Sequence, residues 1–207
     1  MGDQRVFLTD SEQRTLLRLA REAVRAAVTG SSYEIPPTTE SLLSQCGVFV
    51  TLHRHGELRG CLGRFEPEET PLVELVAIMA RESALHDVRF PPLSSNEVPE
   101  LDIEVSVLTP MRRIHSPDEV EVGRHGLFIV GTSPTTRGRR HGTLLPQVAT
   151  EQGWDRLAFL ENTCRKAGLP LDAWKRDDTE IYVYEAQVFG EKSLGMWPLH
   201  ERGEARG

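Results

Sequence analysis

Apolar residues recur along the chain with two periods, and the changes between them divide it into elements. Leu16, Leu17, Ala20, Ala23, Val24, Ala27 and Val28 repeat at helical spacing, while Arg14, Arg18, Arg21, Glu22 and Arg25 fill the remaining face. The pattern predicts an amphipathic helix over 10–29 with those charged residues outside. Thr9 and Glu12 stand at the spacing of a capping box, in which a hydroxyl and a carboxylate each satisfy an orphan backbone N–H, and Gly30 is a natural stop. Pro36 and Pro37 mark an irregular link. A second helix is expected from Thr70-Pro71, with Leu72, Leu75, Val76, Met79 and Ala80 as its buried stripe, fading between Ser83 and His86. Leu144 to Ala149 starts another helical patch. A last helix opens at Asp155, runs through Leu157, Phe159, Leu160 and Cys164, and stops near Gly168 and Pro170.

Between these segments the period shortens to that of strands. Val48 to His53 is the first, His55-Gly56 is a turn signal, and a returning strand starts at Glu57. A two-residue loop pairs Arg54 with Glu57 and, counting outward, Val50 with Cys61. Cys46 then lies roughly 13 Å further along, beyond disulfide reach. From Leu101 to Val107 apolar and polar residues alternate, so Asp102, Glu104 and Ser106 share one face. Leu127 to Val130 is a short apolar strand, 131–142 reads as a loop or irregular hairpin, and Glu180 to Phe189 is the final strand. Helices and strands mix without regular βαβ alternation, which predicts an α+β fold with largely antiparallel pairing.

Composition narrows the class. The 207 residues include 39% hydrophobic and 27% charged side chains, ordinary for a globular chain. A formal net charge of -7 argues against broad electrostatic binding to nucleic acid. Three cysteines fit a reducing compartment better than a disulfide framework. No apolar run is long enough to cross a bilayer, and the N-terminus lacks the core of a signal peptide. Its Met-Gly start fails the myristoylation pattern because Phe7 stands where Ser or Thr is required. The expectation is a cytoplasmic protein with no membrane partner.

Candidate chemistry concentrates in 53–65, HRHGELRGCLGRF. Gly60 and Gly63 bracket Cys61 and remove side-chain bulk, so a ligand or another backbone can approach closely. Arg59 and Arg64 place positive charge beside the sulfur, the setting that favours a nucleophilic thiolate. Cys61 is thus the candidate nucleophile or ligand contact, against the plain alternative of a small buried hydrophobe. Arg59 is the candidate for bidentate capture of a carboxylate or phosphate, against a surface ion pair. Asp87 and Arg89 alternate around Val88 in what reads as an extended stretch; they either orient a ligand or lock the loop against the hairpin. His86 is a weaker candidate base. His53, His55, Cys61 and His86 match no compact zinc motif, and neither metal nor cofactor is expected. Arg137, Arg139, Arg140 and His141 form a dense basic cluster without an interleaved aromatic residue, a solvated loop by default and an RNA contact as the alternative.

Leu58-Arg-Gly-Cys-Leu-Gly63 resembles the LRGCIG hexapeptide of the AMMECR-type domain family, with Leu62 in place of isoleucine. Ser83 to Pro92 resembles its second signature, SALxDxRFPP. Glu104 to Thr109, Gly123 with Gly126, Leu145 to Ala149 with Gly153-Trp154, and Lys166 to Leu169 with Trp174 follow in the family's order. The resemblance implies an α+β fold with an antiparallel, barrel-like sheet, outer helices and two lobes around a cleft. It implies one domain of two lobes over 9–189 and leaves 190–207 as a tail, in which the scattered apolar Leu194, Met196, Trp197 and Leu199 are themselves expected to pack on the domain or on a second subunit. It also points to the AmmeMemoRadiSam system, where an AMMECR-type protein accompanies a Memo-type and a radical SAM protein. It supplies neither a reaction nor an oligomeric state. Two readings follow: an enzyme-like protein binding a small anionic ligand through Arg59, Gly60, Gly63, Asp87 and Arg89 with Cys61 as nucleophile, or a non-catalytic module that docks a Memo-type or radical SAM partner.

Overall fold

In the computed structural model, which describes residues 8–66 and 69–196, the capping box at Thr9 is formed and opens α1 (Asp10–Thr29). Thr9 N–H donates to Glu12 Oε2 at 2.8 Å and Glu12 N–H to Thr9 Oγ1 at 3.4 Å. Gly30 ends the helix at φ 72°, a left-handed conformation that costs glycine nothing. The apolar stripe of α1 is buried as predicted, but Arg21, expected outside, is only 9% exposed. In α2 (Leu72–Leu85) Pro71 takes the cap position instead of Thr70, and Leu72 N–H is satisfied by Ser44 O at 2.8 Å. Two further helices are α3 (Pro146–Glu151) and α4 (Arg156–Lys166).

The described strands are β1 (Gly47–Arg54), β2 (Glu57–Arg64), β3 (Leu101–Leu108), β4 (Arg112–Ile114), β5 (Gly126–Thr132), β6 (Arg139–Leu144), β7 (Glu180–Tyr184) and β8 (Ala186–Gly190). They form two antiparallel four-stranded sheets, ordered β2-β1-β3-β8 and β4-β7-β5-β6. Among the described residues neither sheet closes on itself into a barrel. The chain divides accordingly: one compact unit runs to Leu108 and resumes at Gln187, the other is Thr109–Ala186.

In the first unit, Val48, Val50 and Leu52 of β1 and Ile103 and Val105 of β3 join the buried stripes of α1 and α2 in one core. Leu194 and Met196 pack against that core as well. Trp197, Leu199 and the leader and lipidation readings at the N-terminus lie outside the described residues. In the second unit Leu127 and Ile129 of β5 pack with Ile181 and Val183 of β7 and with Phe159, Leu160 and Cys164 of α4.

The expected final strand is two strands in different sheets. It breaks at Glu185, whose N–H donates to Thr109 Oγ1 at 2.8 Å and whose carbonyl accepts from Thr109 N–H at 2.9 Å. The segment read as a loop or irregular hairpin over 131–142 is a hairpin: it turns at Arg137, where φ is 53°, and continues as β6 paired with β5. Three-residue β4 is too short for any period to reveal. No helix among the described residues is long and apolar enough to cross a membrane.

Candidate ligand site around Cys61

The β1–β2 hairpin turns at His55-Gly56 as predicted, but its register shifts. Arg54 pairs with Glu57 and His53 with Leu58; Leu52 then pairs with Gly60, leaving Arg59 as the extra residue of a bulge. Cys61 therefore faces Thr51, not Val50. The consequence is chemical: the sulfur leaves the row of Val50 and joins the half-buried polar row, where Thr51 Oγ1 donates to Cys61 Sγ at 3.4 Å. On β3 the residue opposite Thr51 is Glu104.

Both glycines are required by the protein's own atoms. A Cβ on Gly60 would lie 2.3 Å from the Ser83 carbonyl oxygen of α2, and one on Gly63 would lie 2.3 Å from Val48 O and 2.4 Å from the Phe49 ring. The close approach read from these positions is thus made by another backbone and a ring. Gly60→Ala is expected to destabilise by about 2 kcal/mol, the cost of overpacking against backbone that cannot yield. Urea unfolding of the variant measures it, and wild-type stability would contradict the close fit.

The two signature segments meet here. Ser83 Oγ accepts from Leu62 N–H and donates to Val50 O, both at 2.8 Å, straddling the β1–β2 ladder. Asp87 begins a tight turn, closed by Phe90 N–H on Asp87 O at 3.0 Å, rather than the extended stretch expected. Asp87 Oδ2 accepts from Cys61 N–H at 2.8 Å, and both its oxygens accept from Arg89, at 2.9 Å from Nε and 2.6 Å from Nη2. Arg89 Nη2 returns to Cys61 O at 3.2 Å. An ion pair thereby saturates both peptide groups of an edge strand at Cys61, the job a neighbouring strand would otherwise do. The Arg89 hydrogen bond, reinforced by the Cys61 and Arg89 N–H groups, holds the Asp87 carboxyl far below the usual carboxylate range, against the opposing effect of burial.

Arg89 is also a cation at Cys61, bound through Nη2 to that residue's carbonyl oxygen. Its guanidinium is held above its ordinary range by the hydrogen bond to Asp87 first, and also by interaction with the Cys61 side chain, against burial. Asp87 is 4% exposed in its side chain and Arg89 53%, so the pair has a sealed end and an open end. No described oxygen accepts from Arg89 Nη1. Arg59, by contrast, spends all three nitrogens within the protein. It binds Glu97 through Nε at 2.8 Å and Nη2 at 3.1 Å, and Pro91 O through Nη1 at 3.1 Å. Arg59 and the Ser94 donors hold the Glu97 carboxyl down to about 2. The Phe90 ring lies 6.0 Å from the Arg59 guanidinium and 5.5 Å from that of Arg89.

Of the three cysteines, Cys46 and Cys164 are buried and Cys61 is not. Burial pushes the Cys164 thiol up to about 11. His86 sits on Glu82 at 3.0 Å and His55 on Glu100 at 3.3 Å, both exposed. Among the described residues no group of three or more His, Cys, Asp or Glu converges as a metal site. In the basic segment, Arg139 is paired with Glu180 at 3.0 Å, and sheet pairing stacks Phe128 on His141 with ring centroids 5.6 Å apart, the aromatic neighbour that the linear sequence hides. Sequence reading also missed Thr51, Ser83 and Glu97 as partners of the site. Thr51 left a signal as a polar residue alternating with Val50 and Leu52, and Ser83 as the first residue of the second signature; Glu97 left none.

A family model described as AMMECR1 matches residues 17–189. Protein MK0488 of Methanopyrus kandleri is 47% identical over 98% of this chain and 97% of its own length. Protein TK0174 of Thermococcus kodakarensis is 44% identical over 86% of this chain and 89% of its own. The crystal structure of the uncharacterized protein PH0010 from Pyrococcus horikoshii superposes with a TM-score of 0.78 at 41% identity, covering 89% of this chain and 94% of that one.

Proposed function

The chain belongs to the AMMECR1 family, and on that footing we propose that it is an enzyme-like protein that takes a small anionic ligand, a nucleotide or metabolite, at the LRGCLG strand. Cys61 is the group that touches or attacks the ligand, and Arg89 Nη1 receives its negative end. One observation carries the reading: the half-exposed end of the Asp87–Arg89 pair lies against the one cysteine of the three that is not buried. Asp87 fixes the strand and the guanidinium together; Gly60 and Gly63 permit the packing that holds Cys61 in place; Arg59 anchors the bulge through Glu97. Three unpaired cysteines support a reducing, cytoplasmic setting.

A panel of carboxylate and phosphate metabolites tests this. A member that binds is expected both to raise the unfolding temperature and to slow alkylation of Cys61 by iodoacetamide. A panel in which every stabilising compound leaves that alkylation rate unchanged would refute the site.

A second reading, docking of a Memo-type or radical SAM partner, is favoured by Val88, which is 99% exposed at the tip of the turn that Asp87 and Arg89 hold rigid. Under it, Val88→Ser weakens partner capture, and no small anion slows alkylation of Cys61.

A further inference from the structure

The second unit contains a cavity of about 470 Å³ beside the edge strand β4, unrelated to Cys61. Its charged lining is unbalanced. Arg113, Lys175 and Arg176 supply three fixed cations, with His115 next to them, against the single carboxylate of Asp177. Many arginines elsewhere are committed, Arg54, Arg59, Arg89, Arg112, Arg124, Arg139 and Arg156 each holding a carboxylate. Among the described residues Arg113 and Lys175 hold none, and Arg176 has only Asp172 at 3.8 Å. Lys175 instead lies 4.9 Å from the Trp174 ring centroid.

Trp174 lines the same cavity, and its Nε1–H is the buried side-chain polar atom for which the described residues provide no acceptor. An unmet buried donor is costly, and a small shift of the indole toward the cavity would let a ligand oxygen relieve it. The size is within the range of small-molecule sites. Three guanidinium or ammonium groups less the carboxylates of Asp177 and of Asp172 beside Arg176 leave a positive excess, carried by Arg113 and Lys175, that suits the anionic head of a phosphate monoester.

We propose that this cavity binds a small phosphate monoester, its phosphate held by Arg113, Lys175 and Arg176 and an acceptor atom of the ligand taking the Trp174 indole N–H. The site is independent of the proposed chemistry at Cys61.

The test titrates the full chain with AMP, glycerol 3-phosphate, inorganic phosphate and adenosine, following the Trp174 indole N–H resonance, assigned by its loss in Trp174→Phe. At least one monoester is expected to shift that resonance, to bind more tightly than inorganic phosphate, and to weaken as salt is raised; adenosine is expected to leave it in place. Arg113→Ala and Lys175→Ala, both at exposed side chains, are each expected to weaken the monoester by about tenfold, the loss of one charge-assisted contact. Cys61→Ser is expected to bind as wild type. A resonance that neither monoester moves, affinity no greater than for inorganic phosphate, or undiminished binding in both alanine variants would overturn the proposal.

Discussion

Replacing Glu191 with alanine is expected to lower unfolding stability by about 3–5 kcal/mol, the cost of stranding a buried charge whose partner has been removed. Glu191 is 1% exposed and accepts from Arg21 Nε at 2.6 Å, from Arg21 Nη2 at 2.5 Å and from Ile103 N–H at 2.9 Å. The other donors of Arg21 reach Val98 O at 3.0 Å and Leu101 O at 2.6 Å. One guanidinium thus ties α1 to the start of β3 and to the residue that follows β8. Without Glu191 it keeps the carbonyls but loses this carboxylate in a place that little water reaches. For a chain of this length the midpoint of thermal unfolding should fall by roughly 2–4 °C per kcal/mol. The double variant Arg21→Met with Glu191→Leu should recover most of the loss, because desolvation then no longer opposes burial. Calorimetry of the three variants decides; a Glu191→Ala midpoint within about 2 °C of wild type would contradict this role.

Asp87→Ala is the second large effect, expected at about 2–3 kcal/mol, at the lower end for a broken buried pair because Arg89 is half exposed and regains water. Asp87→Asn should cost about 1 kcal/mol, since an amide oxygen still accepts from Cys61 N–H. The same carboxylate makes stability depend on pH. Asp87 and Glu97 both have folded-state pKa values below those of the unfolded chain. Their stabilisation is therefore complete above about pH 4–5, where even the unfolded carboxylates are ionised. It is lost as the pH falls, through about 2 for Glu97 and lower still for Asp87. Urea midpoints from pH 6 to pH 2 should fall for wild type and fall less steeply for Asp87→Asn. Parallel curves would remove Asp87 from the acid response.

The hydrophobic pattern located α1 to the residue, because capping box, apolar stripe and glycine stop all act within one helix. It also placed β3 and the hairpin turn. It misplaced whatever is decided between distant segments. Arg21 looks like a surface residue until Glu191, 170 positions away, is brought to it. Arg59 looks like a free cation until Glu97 claims it. The bulge that turns Cys61 toward Thr51 depends on where Ser83 presses against Gly60, and no count along the hairpin predicts that. The two signature segments are similarly silent about each other: LRGCLG and SALHDVRFPP read as separate motifs, and only the fold shows that Ser83, Asp87 and Arg89 of the second bind the backbone of the first. The cavity at Trp174 is the extreme case, built from β4, the turn after it and the chain around 174–181.

The central claim is that a cation and a sulfur act together at Cys61. The relative rates of iodoacetate and iodoacetamide at that thiol test it most directly, because the two reagents deliver the same electrophile with and without a negative charge. If Arg89 receives anions beside Cys61, the iodoacetate-to-iodoacetamide ratio at Cys61 exceeds that of N-acetylcysteine at the same pH, and the excess shrinks as salt is added. A ratio at Cys61 equal to or below that of the free thiol would contradict it.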